Sequence, residues 1–214
     1  GLAVINVDES AENVIIIVSG ANYALDESDV ERAKKQMDHA KVLMLQLEVP
    51  PQVSLAGAIA AKKKGLTVMF DPAPATDMPE AAYEYIDFIT PNELETETLV
   101  GILPTTTDEA EKAAKILRGK GVQTAIIKMG AQGAYYAGPQ DSGFVPAFKV
   151  KAIDTVAAGD AFNAGLAVAL AEGKDLPEAV RWGAAAGAIA TTRKGALPAM
   201  PYRHELMQLL TEKS

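Results

Sequence analysis

The stretch Asp154-Thr155-Val156-Ala157-Ala158-Gly159-Asp160 runs directly into the small and apolar segment Ala161–Leu166. The pattern predicts a tight turn followed at once by a helix, with little side-chain bulk over the helix start. The first N–H groups of a helix lack internal partners, and small residues let an anion approach them closely. Asp160 therefore has two interpretations. It is a helix cap, or it is a base that takes the proton from an attacking hydroxyl beside an anion pocket.

Composition narrows the class of protein. The chain has 214 residues, 49% of them hydrophobic, which suits one α/β domain or a large part of a bigger one. Its formal net charge is −8 without a basic run, which argues against nucleic acid or an anionic membrane as partner. There is no cysteine, and no apolar run approaches the roughly 18 residues of a membrane span. We expect a cytoplasmic protein.

Strand-like and helix-like segments alternate from residue 28 to residue 137 at the spacing of βαβ units. The continuous apolar run Val42–Leu47 is typical of a buried parallel strand, and a capping-box pattern at Ser28–Glu31 predicts a helix start. The alternation predicts a parallel sheet with helices on both faces and ligands at the carboxyl ends of its strands. Ahead of this region, Ala3–Val7 and Asn13–Val18 predict a β-hairpin.

Three further segments place polar groups at the ends of predicted strands. Glu48 follows Val42–Leu47, where a carboxylate either accepts hydrogen bonds from sugar hydroxyls or stays a solvated loop charge. Asn92 and Glu95 open a helix after another strand, a position where acidic residues normally complement the helix dipole. Lys128 precedes the glycine turn Gly130–Gly133, which by itself is most simply a hairpin.

The opening stretch resembles the C-terminal signature of the ribokinase-like (PfkB) family of sugar kinases, D-T-x-G/A-A-G-D-x-F. The resemblance extends from the turn at Gly20 to the final helix. It implies a ribokinase-like three-layer α/β/α sandwich with a mainly parallel sheet. It also implies that Asp160 is the general base, and that the amides of Ala157, Ala158 and Gly159 hold the charge that develops on the transferred phosphoryl group.

The same resemblance implies binding sites for the sugar, the nucleotide and Mg²⁺. Glu48 and Asp160 would contact the sugar. Asn92 and Glu95 match a family motif, Asn-x-x-Glu, that organises Mg²⁺ through water, which suits a cation that prefers oxygen ligands. Lys128 would meet a phosphate as a point charge. The implied ATP-binding set is Asn92, Lys128, Gly130, Gly133, Gly159 and Ala184, although the small residues around Ala184 are equally explained by close helix packing.

The segment Thr192–Ala199 resembles the part of the family that encloses a monovalent cation, K⁺, together with the Asp of the signature. The resemblance implies oxygen ligands from Asp154 and from the carbonyls of Val156, Ala190, Arg193 and Gly195. A basic helix C-terminus, which the helix dipole favours, is the alternative explanation.

The resemblance covers only the C-terminal two-thirds of a family member. Gly1 opens inside a strand-like run, without a Met or a charged leader. We therefore expect the N-terminal third and most of the β-sheet lid to be absent. Residues 1–18 would be a remnant hairpin of that lid, through which the full-length protein would form a homodimer, and 19–214 an incomplete nucleotide-binding and catalytic domain.

The resulting prediction is an ATP-dependent sugar kinase that transfers the γ-phosphate to a primary hydroxyl. Gln46-Leu47-Glu48 and Arg193-Lys194-Gly195-Ala196 favour ribose, with ribose 5-phosphate as the product. Two alternatives stay open. One is a kinase of the same family that acts on another sugar or on a nucleoside. The other is a fragment that binds nucleotide and catalyses nothing, since so much of the sugar site would be missing.

Overall fold

A computed structural model describes residues 1–7, 13–76 and 78–212. Two compact units are present. The first contains Gly1, Ser19–Met129 and Tyr135–Gly143, and the second contains the described residues of 2–18, 130–134 and 144–212. One boundary between the units falls between Val18 and Ser19, although residues 2–18 are grouped with C-terminal residues. The division of function between 1–18 and 19–214 stays a prediction.

Strands and helices alternate along most of the described chain. The strands are β1 Leu2–Val7, β2 Asn13–Val18, β3 Val42–Leu45, β4 Thr67–Phe70, β5 Phe88–Ile89, β6 Thr124–Lys128, β7 Gly133–Ala137 and β8 Ser142–Pro146. The α-helices are α1 Glu27–Met37, α2 Pro51–Lys63, α3 Glu93–Val100, α4 Thr107–Gly119, α5 Ala158–Ala171, α6 Leu176–Thr191 and α7 Arg203–Glu212. No helix in the described ranges has the length and apolarity needed to cross a bilayer.

The strands from β3 to β8 form a sheet in chain order, and β3–β4, β4–β5 and β5–β6 are parallel pairs. Apolar strands packed under helices form two buried clusters in the first unit. One cluster gathers Leu117 of α4 with Ile127 of β6, and the other gathers Ala61 of α2 with Val68 of β4. Because βαβ crossovers return each strand parallel to the last, the carboxyl ends of β3 to β6 lie along one edge of the sheet.

Two predicted helix starts are wrong by a few residues, since the sequence predicts one helix to begin at Ser28 and another to run over Ser54–Lys64. Helix α1 is capped by Asp26, whose side chain accepts the Ser28 N–H at 2.8 Å while Asp29 accepts the Asp26 N–H at 2.9 Å. Helix α2 begins at Pro51, since a proline at the first position costs no hydrogen bond. Ser54 lies inside α2 instead, and its hydroxyl donates to the Gln46 carbonyl at 2.9 Å.

The second unit contains the β1–β2 ladder and the helices α5 to α7. The two strands pair antiparallel from Leu2 with Val18 to Val7 with Asn13, as predicted, and the turn between them lies outside the described residues. Helices α5 and α6 approach so closely that a Cβ on Gly165 would lie 2.8 Å from both Ala186 Cβ and the Trp182 carbonyl oxygen. Small residues on these helices thus allow close helix packing.

Candidate active site

The turn before α5 is held by the carboxylate of Asp154. Its Oδ1 accepts the Val156 N–H at 2.9 Å, and its Oδ2 accepts the Gly195 N–H at 2.8 Å. The bond from Gly195, followed by the bond from Val156, lowers the pKa of Asp154 below its ordinary value. A single carboxylate therefore joins the turn before α5 to the loop after α6.

The start of α5 has the backbone of an anion site. Ala157 is the N-cap and takes the left-handed conformation at φ 60°, without a side-chain cap. The Ala158 N–H donates to the Thr155 carbonyl at 3.2 Å. Gly159 and Asp160 follow in the first turn of the helix. Ala157 to Gly159 are half-buried and Asp160 is exposed, so this helix start is open to a ligand.

Replacing Ala157 with glycine is expected to stabilise the protein. The left-handed conformation costs a residue with a Cβ about 1–2 kcal/mol, which glycine avoids. Part of this advantage is lost because glycine has a larger entropy in the unfolded chain. We therefore expect a rise of up to about 1 kcal/mol in the free energy of unfolding, measured by urea denaturation. Ala164→Gly, at an exposed helical position of α5, is the control and should lower it. An Ala157→Gly variant less stable than the parent would contradict the conformation described.

Asn92 and Glu95 form a closed capping box at the start of α3. Asn92 Oδ1 accepts the Glu95 N–H at 2.8 Å, and Glu95 Oε2 accepts the Asn92 N–H at 2.7 Å. Asn92 Nδ2 also donates to Glu95 Oε1 at 2.9 Å. Glu95 is 9% exposed, and its burial raises the pKa of its carboxyl to about 7, although the charge of Lys128 opposes that rise.

Asp71 is a neighbour of this site that sequence reasoning missed. It directly follows β4, and its Oδ1 lies 3.0 Å from Lys128 Nζ at the end of β6. The two side chains are only 9% and 12% exposed, so the ion pair is nearly buried. The available signal was the one used for Glu48, an acidic residue just beyond a buried parallel strand.

The raised pKa of Glu95 predicts a pH dependence of stability. From its ordinary value of 4.5 up to about 7, Glu95 keeps its proton in the folded protein and loses it in the unfolded chain. The folded state then binds more protons, so this group makes stability fall as pH rises across that window. Glu95→Gln removes the titration and should flatten this part of the curve, as measured by urea unfolding at a series of pH values.

Glu109→Gln is a matched control, because Glu109 holds the same position in the capping box of α4 but is only half-buried. Hydrogen bonds from Thr105, then from Thr106, lower the pKa of Glu109. The contribution of Glu109 to stability is therefore fully present above pH 4.5 and is lost as pH falls through the lowered pKa. The two substitutions should change the curve in opposite directions. Parallel curves for the parent and Glu95→Gln would contradict the buried, protonated Glu95.

The predicted site residues divide between the two units. Asn92, Glu95 and Lys128 lie together in the first unit, and Glu48 lies half-buried just beyond the end of β3. The signature residues and the predicted cation ligands lie in the second unit, as do Gly130, Gly133 and Ala184. Within that unit the Ala190 carbonyl accepts the Arg193 N–H at 3.3 Å, and Ala184 is half-buried on α6. The roles of all these residues stay predictions.

The donor atoms fit the two expected metal ions. Across the described ranges there is no cluster of three or more His, Cys, Asp or Glu side chains able to cage a metal. Both carboxylate oxygens of Glu95 already accept hydrogen bonds from Asn92, which suits Mg²⁺ held through its waters. Asp154 fixes the two segments whose carbonyls were predicted to bind a monovalent cation.

Polar side chains beyond the strands of a mainly parallel sheet, and an open helix start, are features suited to binding phosphates. Comparison with known proteins places the chain among phosphotransferases with an alcohol acceptor. The model of the pfkB family carbohydrate kinases matches residues 1–203, and the chain belongs to that family. The ribokinase-like α/β fold expected from the sequence is confirmed by superposition on solved ribokinases.

Three relatives illustrate the similarity. The ribokinase of Haemophilus influenzae is 43% identical over 98% of this chain and 69% of its own length. The crystal structure of ribokinase from Thermotoga maritima superposes with a TM-score of 0.85 at 39% identity, over 98% of this chain and 69% of that one. The structure of Arabidopsis thaliana ribokinase, solved in complex with ribose and ATP, superposes with a TM-score of 0.86 at 31% identity. The superposition covers 97% of this chain and 68% of that one.

Proposed function

We propose that this carbohydrate kinase transfers the γ-phosphate of ATP to the primary hydroxyl of a pentose, and that ribose is its acceptor. The observation that carries the proposal is the start of α5, where left-handed Ala157 opens the helix and Asp160 stands in its first turn. The similarity to ribokinases, one of them bound to ribose and ATP, supports the choice of substrates.

In the proposed reaction Asp160 takes the proton from the sugar hydroxyl. The freed oxygen forms a bond to the γ-phosphorus, the bond from that phosphorus to the β–γ bridging oxygen breaks, and ADP leaves with the electron pair. The amides of Ala157, Ala158 and Gly159 hold the charge on the transferred group, for which the Ala158 N–H must share or release its bond to the Thr155 carbonyl. Glu48 accepts hydrogen bonds from sugar hydroxyls that do not react.

The nucleotide and its metal are assigned to the remaining predicted residues. Mg²⁺, when bound, neutralises charge on the phosphates. Asn92 and Glu95 hold its water shell, and Lys128, fixed by Asp71, adds a positive charge near the phosphates. The nucleotide contacts are completed by Gly130, Gly133, Gly159 and Ala184.

A monovalent cation, K⁺, is the second proposed ion. It would be held by Asp154 and by the carbonyls of Val156, Ala190, Arg193 and Gly195. Asp154 accepts hydrogen bonds from the Val156 and Gly195 amides. These bonds hold both segments in place, which supports a site already arranged for a cation. Since the same carboxylate borders the turn before α5, an ion there would stabilise the anion site.

The test is sugar-dependent ADP formation by the protein expressed from its complete reading frame, with Mg-ATP and K⁺ present. Ribose should give the highest kcat/KM among pentoses, hexoses and nucleosides, and intact mass should show a phosphorylated sugar as product. A higher kcat/KM with another sugar or a nucleoside would replace ribose with that acceptor. Tight ATP binding without turnover on any acceptor would favour the binding-only alternative.

A homodimer and a cytoplasmic location remain predictions. The β1–β2 ladder supports the first, because Leu2, Val4 and Ile16 are 63%, 46% and 56% exposed. Apolar side chains gathered in this way often mark an interface between chains. Sedimentation of the complete protein would measure its oligomeric state.

A further inference from the structure

Arg193 and Glu205 form an ion pair with two hydrogen bonds in the second unit. Arg193 Nη1 donates to Glu205 Oε2 at 3.3 Å, and Arg193 Nη2 donates to Glu205 Oε1. The Tyr202 N–H donates to the same carboxylate, 2.8 Å from Oε2. Glu205 belongs to the first turn of α7, so the helix start and the guanidinium share one carboxylate and fix its orientation.

This pair adjoins the loop that follows α6. The Arg193 N–H donates to the Ala190 carbonyl at 3.3 Å. Two residues further along, the Gly195 N–H donates to Asp154 Oδ2 at 2.8 Å, and Asp154 Oδ1 accepts the Val156 N–H at 2.9 Å. A continuous path of covalent and hydrogen bonds therefore runs from α7, through the loop, to the turn before α5.

We propose that Glu205 is a positioning residue for the monovalent cation. Glu205 holds the Arg193 side chain, and the Arg193 side chain in turn holds the loop whose carbonyls bind the cation. The inference rests on the proposed function, which assigns a cation to this loop. Two physical effects combine. The paired side chain restricts the loop to one arrangement, and the carboxylate neutralises a guanidinium that would otherwise repel a cation bound by the carbonyl of the same residue.

Glu205→Gln isolates the pair, because glutamine still offers an acceptor to the Tyr202 N–H but carries no charge. Arg193 and Glu205 are both partly exposed, so the change leaves no buried charge and should not prevent folding. We expect the K⁺ concentration for half-maximal activity to rise about 10-fold or more, as for other partners that orient metal ligands. The kcat at saturating K⁺ should stay unchanged.

Glu172→Gln is the matched control. Glu172 accepts from both terminal nitrogens of Arg203, which like Glu205 belongs to α7, with 3.0 Å from Nη2 to Oε2. That pair connects α7 to the C-cap of α5 rather than to Arg193 in the loop after α6. Its loss should leave the K⁺ requirement unchanged. An equal rise in both variants would show a general loosening of α7 and would overturn the proposal.

Hydrogen exchange in the protein without ligands gives a readout that does not depend on catalysis. Glu205→Gln should speed exchange of the Gly195 amide, which donates to Asp154. The Glu178 amide, which donates to Asp175 at the start of α6 with 2.9 Å between the heavy atoms, is the internal reference and should not change. This result supports the positioning role even where no sugar is phosphorylated, so the two proposals can fail separately.

Arg193→Met separates positioning from charge, since it breaks the same pair and also removes the repelling guanidinium. If positioning dominates, this variant too should need a higher K⁺ concentration for half-maximal activity and should exchange the Gly195 amide faster. A lower K⁺ concentration for half-maximal activity would overturn the positioning role. Unchanged K⁺ activation and unchanged Gly195 exchange in Glu205→Gln overturn the inference while leaving the kinase function intact. Full activity of the parent in choline chloride removes the cation from the proposed function and overturns this inference with it.

Discussion

Asp160→Asn is expected to lower kcat for sugar phosphorylation by about 10²–10⁴-fold, the usual contribution of a positioned general base. The amide has nearly the shape of the carboxylate but cannot take the hydroxyl proton. Asp160 is exposed in the first turn of α5, so we expect its replacement by a side chain of the same shape to leave the fold intact. The measurement is steady-state ADP formation with the preferred sugar, together with ATP binding by calorimetry, which should change little.

The control for this variant is Glu172→Gln, which removes one negative charge at the other end of α5. It should keep kcat close to that of the parent, since an ion pair between two exposed side chains contributes little to stability. An Asp160→Asn variant that retains more than about one hundredth of parental kcat would place the base elsewhere. Equal losses in both variants would point to the helix as a whole.

Gly133→Ala is expected to cause the largest loss of stability. Gly133 has φ 136°, and a Cβ there would lie 2.1 Å from the Val145 carbonyl oxygen and 2.9 Å from the Ala147 nitrogen. Backbone atoms cannot move away as a flexible side chain can. Conformational strain and overpacking together should lower the free energy of unfolding by about 2–5 kcal/mol, measured by urea denaturation.

Gly119→Ala is the control for this substitution. Gly119 ends α4 without positive φ and is exposed, and nothing lies within 4 Å of a Cβ built there. Because alanine loses less entropy than glycine in a helix, this variant should be more stable than the parent by up to about 1 kcal/mol. Similar stabilities of the parent and Gly133→Ala would show that β7 and β8 are not held as described.

Local signals predicted much of the fold. The continuous apolar run Val42–Leu47 located the parallel strand β3, and the small residues before Asp160 predicted the turn and helix that the structure has. Errors occurred where two local signals compete. A serine and an aspartate two residues apart both suit the cap of α1, and Asp26 is the cap because its side chain reaches the Ser28 amide.

The candidate site was less predictable, because its energetics depend on neighbours that are distant in sequence. Asn92 and Glu95 were identified by their motif, but motif spacing does not reveal that Glu95 is buried or that its pKa rises to about 7. Desolvation depends on the chain that covers a group, and the charges that act on Glu95 include Lys128 on β6 and Asp71 beyond β4.

The sequence alone was sufficient to determine the fold class and the family. The signals were the hydrophobic period, the turn residues and the D-T-x-A-A-G-D signature, and each is encoded within a few neighbouring residues. Tertiary structure alone decided which charges meet. Lys128 pairs with Asp71 across 57 positions, Gly195 reaches Asp154 across 41, and Arg193 joins Glu205 on another helix. The physical reason is that strand order and helix docking set these distances, and neither follows from the spacing of residues along the chain.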